Sequence, residues 1–231
     1  MMMVGIDEAG KGPVIGPMCI AGVCADEELL KKFRLMGVDD SKKLTPKKRE
    51  QLAAEIRKYA EGRWFILEVA ASQIDDLRKI MTMNEVMVVC FSKVLEGLSD
   101  LPFDSVILDA ADVSEERFAR RVKETFSEKF PEKAEKITYI SHHKADAMCP
   151  AVSAASILAK VRRDELISAI SKKENADFGS GYPSDPKTKK FLADWLLTHD
   201  DFPYYVRKSW KTASSLLPEN KRWGYIADKD E

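Results

Sequence analysis

The chain predicts an α/β protein, with a mixed five-stranded sheet flanked by helices and a small helical C-terminal domain. Three observations lead there. Two apolar runs, Met1–Ile6 and Met18–Ala25, lie close together across a Pro/Gly loop, which suits an antiparallel hairpin. Helical and strand-like segments then alternate as far as Lys172. Beyond Lys172 only turn formers and helical stretches remain. The expected boundary places residues 1–175 in the larger domain and 176–231 in the helical one.

Each element has its own signal. Met1–Ile6 reads as a first strand and Met18–Ala25 as a second, entered through Pro13–Pro17. Asp26–Met36 has helical periodicity and stops at Gly37. Thr45-Pro46 opens a helix, with Thr as the N-cap, Pro at the first helical position and Gly62 as the stop. Arg63–Ala70 is a third strand. Thr82-x-x-Glu85 is a capping box that starts a helix running to about Leu98. Ser105–Leu108 is a short strand ending in Asp109, and Ser114–Phe130 a charged amphipathic helix. Ile137–Ile140 is the last strand, and Pro150 begins a long helix over Ala151–Ser171. Asp185 caps a helix to about His199, and a final helical stretch is expected over Val206–Leu217.

A chain of 231 residues, 45% of them hydrophobic, can bury one large core. The net charge of −1 sets up no global basic field. The charge is locally sorted, however, into basic clusters at Lys42–Arg49, Lys160–Arg163, Lys187–Lys190 and Arg207–Lys211. Cys19, Cys24, Cys90 and Cys149 are scattered without zinc spacing, as expected of buried reduced thiols. Met1–Ile6 is too short for the apolar region of a signal peptide and runs straight into Asp7-Glu8. A cytoplasmic monomer is the expectation.

The chemistry concentrates in acids. Asp7 and Glu8 follow the first apolar run, and Gly10-Lys11-Gly12 comes directly after. Adjacent carboxylates repel, and burying them is costly unless a cation compensates. Asp109 and Asp146 also fall at the ends of predicted strands or on the loop that follows. Sites in open α/β sheets assemble at that edge. Four carboxylates meeting there would bind one or two Mg²⁺ or Mn²⁺ ions, the arrangement for in-line phosphoryl displacement. His142 and His143 are neighbours and would face opposite ways on a strand, so structural or surface roles suit them better. The glycine turn is no dinucleotide fingerprint, because Pro13 and Pro17 open a strand where a helix would be needed. Tyr182, in a Gly/Pro loop, could stack on a sugar or base.

Four segments carry a family resemblance: GIDEAGKGPVIGPM (5–18), DDSKKLTPKKR (39–49), HKADAMCPAVSAASILAKVRRD (143–164) and GSGYPSDPKT (179–188). In order and spacing they closely resemble ribonuclease HII, the type 2 ribonuclease H family, in its archaeal form. The resemblance implies an RNase H-like fold. It also implies an endonuclease that hydrolyses the RNA strand of RNA–DNA hybrids and nicks duplex DNA 5′ of embedded ribonucleotides. Two-metal-ion hydrolysis would leave 3′-OH and 5′-phosphate ends. The family's metal-binding carboxylates match Asp7, Glu8, Asp109 and Asp146 here, and Asp112 is the alternative to Asp109 within LDAAD. The backbone of Gly10-Lys11-Gly12 would read the ribose 2′-OH, and Tyr182 would contact the same ribose. Lys42 and Lys160 match phosphate contacts. Lys11 stands where many relatives carry Arg, which loses a bidentate fork. The tail, Arg222–Glu231, has no convincing version of the clamp-binding motif of many archaeal relatives, so a sliding-clamp partner has no support in the sequence.

Two rival readings fit the sequence less well. An actin-like ATPase or kinase fold would need a duplicated domain and a second glycine-rich motif, which this chain lacks. A non-catalytic nucleic-acid-binding module has no use for an acidic cluster that repels phosphate.

Overall fold

The structure is a computed structural model describing residues 2–38, 44–224 and 226. Its sheet has five strands: β1 (Met2–Ala9), β2 (Met18–Asp26), β3 (Trp64–Val69), β4 (Ser105–Asp109) and β5 (Thr138–His142), in the order β3-β2-β1-β4-β5. β1 is antiparallel to β2 and parallel to β4, and β4 is parallel to β5. The sheet is therefore mixed, as the early hairpin and the later alternation of helix and strand require.

β1 runs further than expected. Asp7 and Glu8 lie within the strand, opposite Ala21 and Ile20 of β2. Ladder pairing with a partner strand buried from Met18 to Ala25 outweighs the loop character of two adjacent charges.

The helices follow their caps. α1 (Glu27–Met36) starts at Asp26, whose carboxylate accepts from the Leu29 N–H, and ends at Gly37 in the left-handed region. α2 (Pro46–Tyr59) is capped by Thr45. α3 (Ala71–Arg78) precedes α4 (Met83–Gly97), and the expected capping box holds: the Thr82 N–H donates to Glu85 at 2.8 Å and the Glu85 N–H to the Thr82 hydroxyl at 3.2 Å. The charged helix expected over Ser114–Phe130 is α5 (Glu115–Ser127), and an unexpected short helix, α6 (Pro131–Lys136), follows it, because Pro131 cannot continue α5 and instead opens a new first turn. α7 (Pro150–Glu174) and α8 (Pro186–Leu196) follow. The expected terminal helix shrinks to α9 (Lys211–Ser214), because Val206 bridges to Ile15 in an extended conformation.

The chain forms two compact units. The first comprises residues 1–9, 19–67 and 87–162 and contains most of the sheet. Its core includes Val4, Ile6, Ile20, Phe33, Val106 and Leu108, and Phe91 meets Phe118 edge-on at 5.0 Å. The second comprises residues 10–18, 68–86 and 163–231. It gathers segments from three stretches of the chain, the C-terminal one among them. Its core packs Val14 and Ile15 with Phe178, Leu192, Phe202 and Tyr205.

Cys19, Cys24 and Cys90 are buried and Cys149 is partly buried; none is in a disulfide. Burial pushes the Cys24 thiol up to about 11 and that of Cys90 up to about 12, so neither is a nucleophile at neutral pH. Among the described residues no helix is long and apolar enough to cross a membrane.

Candidate active site

The acids belong to the first unit, and their placement begins with β1. Residues i and i+2 of a strand share a face, so Gly5 and Asp7 look the same way. Gly5 has no side chain, and a Cβ there would lie 2.3 Å from the Val152 nitrogen and 2.4 Å from the Ala151 carbonyl carbon. The first turn of α7 therefore rests directly on the backbone of β1. One turn further along α7, Ser156 hydrogen-bonds the Asp7 side chain. Asp7 is buried, and the Glu8 N–H donates to its Oδ1 at 2.6 Å. Burial above all, then the charges of Asp109 and Glu8, hold the Asp7 carboxyl well above the ordinary carboxylate range.

Asp109 ends β4, the parallel neighbour of β1 in which Leu108 pairs with Ile6. That register brings residues 7 and 109 to the same strand edge. Asp109 Oδ1 accepts the Ala145 N–H at 2.8 Å. This bond holds the 3₁₀ turn Ala145–Ala147, with buried Asp146 at its centre, against the end of β4. The Ser153 hydroxyl of α7 donates to the Asp146 carbonyl from the other side. Asp112, the alternative within LDAAD, has a different task. Arg117 forks onto its carboxylate through Nε at 2.9 Å and through Nη2, and the Ser114 N–H adds a third bond. Those bonds hold the Asp112 carboxyl below its ordinary value. His142 and the His143 N–H both meet Glu115, and both imidazoles are exposed.

Every donor in the acidic group is a hard carboxylate oxygen, which suits Mg²⁺ or Mn²⁺. The suppressed ionisation of Asp7 is the penalty that a bound cation would remove. Among the described residues no three His, Cys, Asp or Glu side chains form a ready-made metal cage.

The glycine turn and Tyr182 belong to the second unit. Gly12 lies beside the Tyr182 ring, where a Cβ would be 3.5 Å from Cε1. The Tyr182 loop is held from several directions. The Gly181 carbonyl accepts the N–H groups of Val14 and Ile15, the Gly181 N–H donates to Thr188, and Asp185 accepts from the Ser180 N–H and hydroxyl. These bonds draw the Asp185 carboxyl down to about 2. Tyr182 stays 45% exposed. Lys11 is partly exposed, and Lys160 lies partly exposed on α7. Lys42 falls outside the described residues. An apolar pocket of about 450 Å³ between Ala71, Ile170 and Tyr205 includes none of the expected site residues.

Reading by residue type missed two things. Ser156 was visible only as one of many small residues in AVSAASILAK, although Ser153 and Ser156 at i, i+3 share one helix face. Arg207 falls in the basic cluster Arg207–Lys211, yet it is fully buried.

Comparison with known proteins agrees with the fold. The family model Ribonuclease HII matches residues 4–213. Ribonuclease HII of Methanosarcina barkeri is 60% identical over 225 residues, covering 97% of this chain and 99% of that protein. The crystal structure of ribonuclease H2 from Pyrococcus horikoshii superposes with a TM-score of 0.81 at 39% identity, covering 94% of this chain and 97% of that one. Ribonuclease HII in the PCNA complex from Archaeoglobus fulgidus superposes with a TM-score of 0.79, also at 39% identity and with the same coverage. The chain is a ribonuclease H enzyme and belongs to the ribonuclease HII family.

Proposed function

We propose that this enzyme hydrolyses the RNA strand of RNA–DNA hybrids and nicks duplex DNA on the 5′ side of embedded ribonucleotides, leaving 3′-OH and 5′-phosphate ends. The observation that carries the chemical part is Asp7, buried on β1 with its ionisation opposed by Asp109 and Glu8. Asp7, Glu8, Asp109 and Asp146 are the residues that would hold Mg²⁺ or Mn²⁺. Two divalent ions there would supply Lewis-acid stabilisation to the attacking and leaving oxygens of an in-line phosphodiester hydrolysis. Ser156 orients the Asp7 carboxylate, and the Ala145 N–H orients Asp109. Tyr182 and the backbone of Gly10-Lys11-Gly12 recognise the ribose, the group that separates RNA from DNA. Lys42 and Lys160 contact backbone phosphates and give salt-dependent, sequence-independent affinity.

The test is a duplex DNA carrying one ribonucleotide, incubated with and without Mg²⁺. The expected result is a single metal-dependent nick 5′ of the ribose, abolished by Asp7→Asn. An uncut duplex, or cutting that survives Asp7→Asn, would overturn the assignment. A second reading concerns partners. The Archaeoglobus relative was solved in a complex with PCNA, and that observation alone favours a clamp partner here. Co-elution of this chain with PCNA on size exclusion would establish it.

A further inference from the structure

We infer that Arg207, with Trp210, is the positioning residue that shapes Gly10-Lys11-Gly12 into a donor surface for the ribose. The inference rests on the proposed ribonucleotide reading and deepens it.

The side chain of Arg207 is fully buried within the second unit. Its guanidinium donates to three backbone carbonyls of the turn segment: Nη2 to Gly10 at 2.6 Å, Nη1 to Lys11 at 2.8 Å and Nε to Gly16 at 3.0 Å. Trp210 Nε1–H donates to the Gly12 carbonyl at 2.9 Å, and the Trp210 ring lies 4.7 Å from the Arg207 guanidinium carbon. The three successive carbonyls of residues 10, 11 and 12 are thus all bound by the 207–210 segment.

In a trans peptide the N–H points opposite to the C=O of the same unit. Turning the Gly10 and Lys11 carbonyls inward onto a buried cation turns the N–H groups of Lys11 and Gly12 outward. Lys11 and Gly12 are the partly exposed and exposed residues of the turn, and Gly12 borders Tyr182. Two outward backbone donors beside an exposed tyrosine make a site for a sugar hydroxyl or phosphate oxygen held against a ring face. Gly10 completes the geometry. Its φ is +94°, and a Cβ would lie 2.6 Å from Arg163 Nε.

Buried Asp75 fixes the segment that carries Arg207. Its carboxylate accepts the N–H groups of Lys208 and Ser209 and the Ser209 hydroxyl. A planar five-donor fork can reach three carbonyls in three directions at once, which an ammonium on a flexible stem cannot do.

The experiment compares Arg207→Lys, which keeps the charge and loses the fork, with Trp210→Phe, which keeps the ring and loses one donor. Each is assayed for kcat/KM on a duplex with one ribonucleotide, affinity for an all-DNA duplex of the same sequence, Mn²⁺ binding by calorimetry and thermal midpoint. The expected result is a fall in kcat/KM of about tenfold or more for Arg207→Lys and of about three- to tenfold for Trp210→Phe, as for a misplaced recognition group. All-DNA affinity and Mn²⁺ affinity should stay within about twofold, as expected for contacts outside the sugar-reading step. Parental kcat/KM in Trp210→Phe, or all-DNA affinity falling in step with activity, would overturn the inference even if Arg207→Lys failed to fold. An inactive parent would instead overturn the proposed function and this inference with it.

Discussion

Gly5→Ala should damage the enzyme more than the loss of a hydrogen atom suggests. The added Cβ would sit 2.3 Å from the Val152 nitrogen and 2.4 Å from the Ala151 carbonyl carbon, both backbone atoms of α7. A backbone cannot swing aside as a side chain can, so the first turn of α7 must retreat by about 1 Å in a close-packed interior. Overpacking of this kind costs about 1–3 kcal/mol. For a protein of this size that corresponds to a fall in Tm of roughly 2–12 °C. The chemical effect should be larger. The retreat carries Ser156 away from Asp7, which it orients. A misplacement of about 1 Å at a catalytic group can lower rates about 10²-fold. Urea denaturation and single-turnover cleavage of a ribonucleotide-containing duplex, run on the same preparation, would measure both. Gly5→Ala with a parental midpoint and parental rate would show that α7 does not depend on this close approach, and the account of how Asp7 is positioned would fail.

The remaining expectations concern neighbouring groups. Asp7 has its folded pKa raised, so the metal-free protein is stabilised at pH below the ordinary carboxylate value and loses that contribution as pH rises through the folded value. Asp7→Asn should therefore flatten the pH dependence of unfolding in EDTA, and a steeper dependence by urea titration at pH 5 and 8 would contradict this. Asp112 has the opposite sign. Its folded pKa is lowered, so its contribution is present above the ordinary carboxylate range and fades as pH falls through the folded value. Arg117→Ala should cost about 1–3 kcal/mol at neutral pH through lost charge-assisted bonds, with little difference from the parent once Asp112 is protonated. Chemical denaturation of both proteins at pH 7 and at acid pH checks this. Tyr182→Ala should lower cleavage at a single ribonucleotide by about 5- to 100-fold, the range for losing one aromatic stacking partner. Mn²⁺ affinity by calorimetry should not move with it.

Much of this was legible in local chemistry. Thr45-Pro46, Thr82-x-x-Glu85 and Asp185-Pro186 announced three helix starts because capping depends on the few residues around the cap. The hairpin of β1 and β2 could be read from one short, turn-rich connection. What failed to show was set by partners distant in sequence. β1 extends through Asp7 and Glu8 because β2 supplies the ladder, and no window of the first ten residues contains that fact. The stretch after Val206 has helical periodicity, yet its backbone is needed elsewhere: Val206 bridges Ile15, and the Arg207 N–H donates to the Val14 carbonyl. For the acids, position at strand ends favours Asp109 over Asp112, and their partners differ: Asp112 is engaged by Arg117, while Asp109 sits beside Asp7. Arg207 was illegible for a plain reason. An arginine beside lysine in RKSWK looks like surface charge, and only the folded chain shows which carbonyls its fork reaches.

The bond from Arg207 to Gly10 spans 197 positions of the chain. At a synthesis rate of about 5–20 residues per second, roughly 10–40 s separate the appearance of the two residues at the ribosome. Throughout that interval the glycine turn exists without the cation that arranges it, whatever the state of the acids. A translation product cut short before the 207–210 segment would carry every carboxylate named here and still lack the side chains that bind the carbonyls of residues 10, 11 and 12. The hydrogen-bonded form of the glycine turn therefore matures only after residue 210 has been made.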